Sequence, residues 1–366
     1  MTIDSIKLKN FRNYESVSLK FSPNINIIYG KNGSGKTNIV EAIYVLSLSK
    51  SFRCKEDISV IMKGKDYTVV EGSVLSKYKN NYQITLSESG KKAKINKKLC
   101  SKLSDYISNI NIILFEPNEE MIFKLAPSNR RKMLDIEISQ LDNSYLVLLS
   151  NYNRVLKQRN FYLREMMINS TLSVDYLNIL TSKLIEYGII INSKRSNFID
   201  MINEYIGSIY KDIFESGELY VKYNSVFNNK NEDDLLKIYS DKIKYDINTG
   251  KTNIGIQHDD IDFILNDNNI RDFGSVGEQK NAIFSFKLSE IEIFKSIKNE
   301  NPILILDDVF SELDKNKVKN IIKILDGDIQ TFVTTTEVER ISKKLRNNAK
   351  KFRVKNGVIE EVNNER

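Results

Sequence analysis

Apolar residues follow three successive patterns along this chain. Short bursts alternate with polar positions over residues 3 to 29 (Ile3, Ile6, Leu8; Val17, Leu19, Phe21) and over 67 to 96 (Val69, Val70, Val74; Tyr82, Ile84, Leu86), which predicts β-strands. Ile25, Ile27, Ile28 and Tyr29 form a compact apolar run, and after a polar loop Ile39, Ala42, Ile43 and Leu46 recur at helical spacing. A buried strand therefore leads into a helix. Beyond Pro127 and up to about Tyr210 proline is absent, and Leu177, Leu180, Leu184, Tyr187, Ile191, Phe198, Met201 and Tyr205 follow three- and four-residue steps, interrupted by Lys194. The repeat lasts only about four heptads and is rich in Asn and Ser, so it predicts a bundle-like helical arm, not a long free coiled coil. Its apolar stripe is expected to be core. After Gly217 strands and short helices return, with polar turns at Asn228 to Asp234 and Asn266 to Asn269.

The loop between that first strand and helix carries the chemistry. Gly30-Lys31-Asn32-Gly33-Ser34-Gly35-Lys36-Thr37 is a complete Walker A sequence. Its glycines let successive N–H groups turn toward phosphate oxygens, Lys36 adds a cation at the β- and γ-phosphates, and Thr37 offers a hydroxyl to Mg2+. The helix that starts there contributes its positive dipole end. Much later, Ile303-Leu304-Ile305-Leu306 is an apolar strand ending in Asp307-Asp308, the Walker B arrangement. Asp307 is expected to hold Mg2+ through its water shell, and Asp308 to orient or deprotonate an attacking water. Many related ATPases carry Glu at the second position; the shorter Asp308 predicts slow hydrolysis.

Shortly before it, Phe273-Gly274-Ser275-Val276-Gly277-Glu278-Gln279-Lys280 opens a helix with Ala282, Phe286, Leu288 and Ile291 inward. Ser275 and Gly277 leave free N–H groups at the helix start, a second anion site, although a plain capping box with Glu278 explains the same residues. Its place before Walker B resembles an ABC signature sequence. Val309-Phe310-Ser311-Glu312-Leu313-Asp314 resembles a D-loop, and Gln330 to Thr336 forms a strand ending in threonine where ABC ATPases place a switch histidine.

Composition narrows the classes. With 366 residues and 41% hydrophobic side chains the chain can bury a sizeable core in two domains or one discontinuous one. No apolar run reaches the roughly 18 residues of a membrane span, and the opening MTIDSIKLKN lacks a signal-peptide core, so a cytoplasmic protein without membrane association is expected. Cys54 and Cys100 are isolated and read as reduced thiols. A single histidine, His258, speaks against histidine triads and His-rich metal sites. The net charge of +7 fits a polyanionic partner.

Residues 7–53, 114–160, 273–292 and 304–314 together resemble, in order, the RecF family within the SMC/Rad50 branch of ABC ATPases. The stretch around Arg130, Arg131 and Leu156 to Arg159 is what separates that family from the rest of the branch. The resemblance implies an α/β fold, an ABC-type P-loop ATPase head with an inserted α-helical arm. Residues 1–115 plus 250–366 would form the head and 116–249 the arm, with the return of 217–249 to the head left open. It implies a weak, DNA-stimulated ATPase that uses ATP and Mg2+. The expected nucleotide contacts are Arg12, Gly30, Lys31, Asn32, Gly33, Ser34, Gly35, Lys36, Thr37 and Asn38, with Ser275, Gly277 and Glu278 from a second copy. Thr37 and Asp307 would hold the metal, and Lys36, Asp307 and Asp308 would serve catalysis.

Such a chain would close as a homodimer around gapped or junction DNA, with RecR and RecO as partners and RecA loading as the outcome. Expected DNA contacts are Arg130, Arg131, Lys343, Lys344 and Arg346. The last three belong to a run of eight basic residues and no acid from Arg340 to Lys355, and Lys91 to Lys102 is similarly lysine-rich. A solvated surface explains either run as well.

Two motifs depart from the family. It usually reads Gly-Pro-His-Arg-Asp-Asp where this chain has Gly255-Ile256-Gln257-His258-Asp259-Asp260, and Ser-Gln-Gly-Gln-Gln-Arg where it has Ser275-Val276-Gly277-Glu278-Gln279-Lys280. Lys280 keeps the charge of arginine without its bidentate geometry. Glu278 adds a negative charge near an expected phosphate and weakens nucleotide-driven dimerisation; a divergent or second copy of the family fits both departures. The rival readings are a transport ATPase subunit, whose Leu-Ser-Gly-Gly-Gln signature is absent, and a P-loop phosphotransferase, which has no use for Ser275 to Lys280. A nuclease of the OLD type needs a further carboxylate-rich domain.

Overall fold

The computed structural model describes residues 1–169, 171–214, 217–309, 329–341, 343–355 and 357–362. The expected D-loop from Phe310 to Asp314 lies outside them, as does the side chain of Lys344. Two compact units emerge: Met1–Glu119, Lys211–Glu215 and Ile283–Arg366 form one, Glu120–Tyr210 and Ser216–Ala282 the other. The first boundary lies close to the expected residue 115. The second lies at 282, well past the expected 250, because a strand at 260–265 pairs with one at 219–224 and keeps that stretch in the second unit.

In the first unit, β1 (Thr2–Phe11), β2 (Tyr14–Lys20), β4 (Tyr67–Leu75), β5 (Lys79–Ser87), β6 (Gly90–Ile95) and β7 (Lys98–Leu99) make an antiparallel sheet in the order β2-β1-β4-β5-β6-β7. The other sheet follows β15-β14-β3-β13-β12-β8, built from β3 (Ile25–Tyr29), β8 (Ile112–Phe115), β12 (Ile303–Asp307), β13 (Thr331–Thr335), β14 (Lys350–Lys355) and β15 (Val358–Val362). It is parallel except at β14–β15. Every residue of β8, β12 and β13 is buried, as expected of parallel strands covered on both faces. Helix α1 (Lys36–Leu48) packs on strands of both sheets, which is why its buried positions run all round and not along one stripe. It approaches β4 so closely that a Cβ on Gly72 would lie 2.3 Å from Leu46 Cδ2.

The second unit is mainly helical: α2 (Met121–Lys124), α3 (Pro127–Leu141), α4 (Asn143–Ile168), most of α5 (Val174–Phe214), α6 (Glu232–Thr249) and α7 (Ile270–Phe273). It also holds the small antiparallel sheet β9 (Leu219–Asn224), β10 (Asp260–Leu265) and β11 (Asn268–Asn269) in the order β11-β10-β9. Local signals set the ends of these helices. Pro127 occupies the first turn of α3, Asp142 caps α4 by accepting from Ser144 N–H, and α6 runs from an Asn231–Asp234 capping box to Gly250 at φ 62°. Helix α8 (Val276–Lys298) contains the boundary between the units.

On α5 the expected stripe is buried at Leu177, Leu180, Leu184, Ile191 and Phe198. Further along, Met201 and Tyr205 are half-buried and Ile202 and Ile206 take the core positions, one step later. Lys194 does not break the stripe. It reaches Asp142 at 2.5 Å on the surface, and the charge that enters the core is its neighbour Arg195. Three arginines, Arg130, Arg159 and Arg195, are among the largest fully buried side chains of the chain.

Candidate nucleotide site

At the end of β3 the backbone turns through Gly33 at φ 73° and Gly35 at φ 115°, left-handed conformations that favour glycine. A Cβ on Gly35 would also meet Tyr14 Oη at 2.6 Å, and one on Gly30 would meet the Val354 carbonyl at 2.2 Å. The loop is pinned from several elements: Tyr14 Oη donates to Gly35 O (3.0 Å), Gly30 N–H to Thr335 O (3.3 Å) and Gly357 N–H to Ser34 O (3.2 Å). Lys36 lies beneath, donating to Gly30 O (2.9 Å) and Lys31 O (3.1 Å). Burial lowers its pKa, opposed by the charges of Asp308 and Asp307.

Thr37 Oγ1 donates to Asp307 Oδ1 at 3.0 Å, across 270 residues of sequence. Register explains the meeting: β12 lies between β13 and β8, and Asp307 is delivered at the strand end opposite Thr334. Thr334 Oγ1 donates to Asp307 Oδ1 (2.5 Å) and accepts from Asp308 N–H (2.9 Å). Asp308 itself sits at φ 53°, a strained position for a non-glycine residue at a functional strand end. Burial raises the pKa of Asp307, partly offset by hydrogen bonds from Thr334 and Thr37 and by the charges of Arg53 and Lys36. Sequence reasoning reached Thr37, Asp307 and Asp308 but not the side-chain role of Thr334.

The donor set fits the groups expected here. Thr37 and Asp307 present two hard oxygen atoms at one point, which suits Mg2+. Ser34 is 6% exposed, and its buried hydroxyl has no hydrogen-bond partner among the described residues, an orphan that a phosphate oxygen would satisfy. Around the loop, Asn38 Nδ2 donates to Asn13 Oδ1 (2.8 Å) and Arg53 Nη1 to Asn38 Oδ1 (2.9 Å). Lys31, Asn32 and Gly33 are exposed on the outer side of the loop. Arg12 is already engaged: its guanidinium pairs with both oxygens of the fully buried Glu41 (2.9 and 2.6 Å) and donates to Ser59 O (2.6 Å).

Another acid went unnoticed in the sequence. Glu116 follows Phe115, the residue of β8 paired with Leu306, so it stands abreast of Asp307 at the sheet edge. Burial raises its pKa to about 7; Lys287 pulls it down, and Glu119 and Asp307 push it up.

The remaining expected residues lie elsewhere. Ser275, Gly277 and Glu278 are at the start of α8, in the second unit, where Ser275 and Glu278 form the capping box. Arg130 corrects an expectation. It is 1% exposed and spends its donors on Asp260 (2.6 and 2.8 Å) and on the carbonyls of Ile122 and Leu125 (2.8 and 2.9 Å), so it is a core ion pair and not a DNA contact. Arg131 is half-buried and donates to Asp259 O at 2.6 Å. Lys343 is exposed and Arg346 half-buried. The departing motif at 255–260 has a clear place: Asp259 accepts from Arg195 (2.9 Å) and from Tyr223, and Asp260 binds Arg130 and Arg271.

Among the described residues no helix is long and apolar enough to cross a membrane. A family model described as RecF/RecN/SMC N terminal domain matches residues 2–360. The DNA replication and repair protein RecF of Ligilactobacillus salivarius is 38% identical over 372 residues, covering 99% of this chain and 98% of the relative. That of Bacillus mycoides is 38% identical over 369 residues, covering 98% of each. A solved structure of the recombination mediator protein RecF with ATP superposes with a TM-score of 0.92 at 29% identity, covering 99% of this chain and 98% of the other. The Smc head domain of Pyrococcus furiosus, at 17% identity and a TM-score of 0.55, shares the fold.

Proposed function

This chain belongs to the RecF family, and from that premise we propose that it is an ATP-dependent DNA clamp of recombinational repair. It is an ATP-binding protein of the ABC ATPase type and a recombination mediator by family. The observation that carries the reading is the meeting of Thr37 with Asp307 at 3.0 Å beneath a loop whose Ser34 hydroxyl has no partner among the described residues.

The loop N–H groups, Ser34 and Lys36 hold the triphosphate, assisted by Lys31, Asn32, Asn38 and Arg12. Thr37 and Asp307 hold Mg2+, which neutralises charge on the phosphate oxygens. Asp308 orients the attacking water, and its short side chain keeps hydrolysis slow, so turnover acts as a switch that DNA stimulates. Ser275 and Gly277 of a second copy complete the site, so two copies close over bound nucleotide. The closed dimer holds gapped or junction DNA mainly through its phosphates, works with RecR and RecO, and helps load RecA.

Sedimentation with and without ATP, repeated for Lys36→Met and Ser275→Arg, tests this reading. ATP should convert the wild type to a dimer and leave both variants monomeric. A wild type that stays monomeric with ATP, DNA present or absent, overturns the clamp.

A further inference from the structure

The arginines of the second unit differ in burial and in partners. Arg130, Arg159 and Arg195 are buried, and each is paired with aspartate. Arg154 and Arg164 are exposed on α4, as is Lys157, and none of these three forms an ion pair among the described residues. Arg154, Lys157, Phe161, Arg164 and Ile168 follow one another at steps of three and four, so they share one face of the helix. At about 1.5 Å per residue that stripe is roughly 21 Å long.

Two features separate this face from an ordinary solvated one. Phe161 is 59% exposed and Ile168 is 88% exposed, large apolar groups set among the cations. Glu165 is the sole acid in the 26 residues of α4, so no alternation of charge neutralises the stripe. Unpaired cations flanking an exposed aromatic ring suit a strand of phosphates whose bases are free to stack. A duplex offers the phosphates but keeps its base faces inside the stack.

We infer that the Arg154–Lys157–Phe161–Arg164 face of α4 binds single-stranded DNA, the cations taking successive phosphates and Phe161 stacking on an unpaired base. This deepens the clamp reading and rests on it, since it names which DNA element the second unit receives.

The test is fluorescence anisotropy of the full-length chain with ATP, using a single strand and a duplex of equal length across a salt series. The combined Arg154→Gln, Lys157→Gln, Arg164→Gln variant should lose at least about tenfold in single-strand affinity. Its slope of log affinity against log salt should flatten by about 2, at about 0.7 per phosphate contact. Phe161→Ala should weaken the single strand by about five- to hundredfold and leave the duplex unchanged, because stacking needs an exposed base. ATP binding and circular dichroism should match the wild type in both variants. A triple variant with wild-type affinity and slope overturns the inference, and so does a Phe161→Ala variant that weakens both DNAs equally. If the wild type binds neither DNA, the clamp reading falls and takes this inference with it. If the wild type binds and the variants are indistinguishable from it, this inference falls alone.

Discussion

Glu278 accepts two hydrogen bonds from Ser275, from its backbone N–H and from its hydroxyl, both at 2.8 Å, and returns its own N–H to Ser275 Oγ at 3.3 Å. A carboxylate thus rests on the N-terminus of the 23-residue α8, where the proposed dimer would bring a γ-phosphate. Two anions compete for one set of donors. Glu278→Gln should tighten ATP-dependent self-association by about 0.5–1.5 kcal/mol, roughly two- to tenfold. Sedimentation velocity against protein concentration reads this directly, and an unchanged or weaker dimer refutes the competition.

Thr334 serves both Walker B aspartates. Its hydroxyl donates to Asp307 and accepts from the Asp308 N–H. Thr334→Val keeps the shape, leaves the Asp308 N–H unmatched and leaves Asp307 Oδ1 with Thr37 alone, which should cost about 1–3 kcal/mol of stability and misplace Asp307. Mg2+-dependent ATP hydrolysis should fall at least about tenfold, whereas Thr334→Ser should retain most of it. Equal loss in both variants would point to packing of the methyl group instead.

Arg130 and Asp260 form a bidentate pair that also ties down two backbone carbonyls. Removing the guanidinium leaves Asp260 with Arg271 as its one ion-pair partner among the described residues, at 3.3 Å, and frees the carbonyls of Ile122 and Leu125. Arg130→Leu should lower the stability of the second unit by about 1–3 kcal/mol in urea, chiefly through the unsatisfied carbonyls. At a temperature where the variant is still folded, its DNA affinity should keep the wild-type salt slope, since no phosphate contact has been removed.

Glu116 predicts a pH dependence. Its folded pKa lies at about 7, above the ordinary 4.5, because burial disfavours the charged form. The stability it contributes is therefore fully present below pH 4.5 and is lost as pH rises through about 7, a difference of about 3 kcal/mol. Thermal melts of the nucleotide- and metal-free chain from pH 5 to 8.5 should show Glu116→Gln gaining on the wild type as pH rises. Parallel curves would mean that Glu116 is not desolvated.

What could be read in the sequence depended on how far apart the partners lie. The phosphate loop was legible because Gly33, Gly35, Lys36 and Thr37 act within one turn of chain. Asp307 was legible because an apolar strand announces where its last residue emerges. The buried arginines were not: a helical repeat marks Arg130 and Arg195 as charged and outward, and their partners Asp260 and Asp259 stand 130 and 64 positions away. Glu116 was missed for the same reason, since only the β8–β12 register places it beside Asp307. The second unit extends past residue 250 because of β9–β10 pairing, a contact that no local pattern encodes.

The parallel sheet has a consequence for biosynthesis. Strand β3, which launches the phosphate loop, lies between β14 and β13, and the loop is fastened by Thr335 and Gly357 and lies close against the Val354 carbonyl. A ribosome that has made residues 1 to 50 has made the whole phosphate loop, yet more than 300 further residues must emerge before that loop has its supports. Nascent and truncated chains therefore carry the motif without the pocket, and nucleotide capture becomes a report that synthesis has passed residue 357.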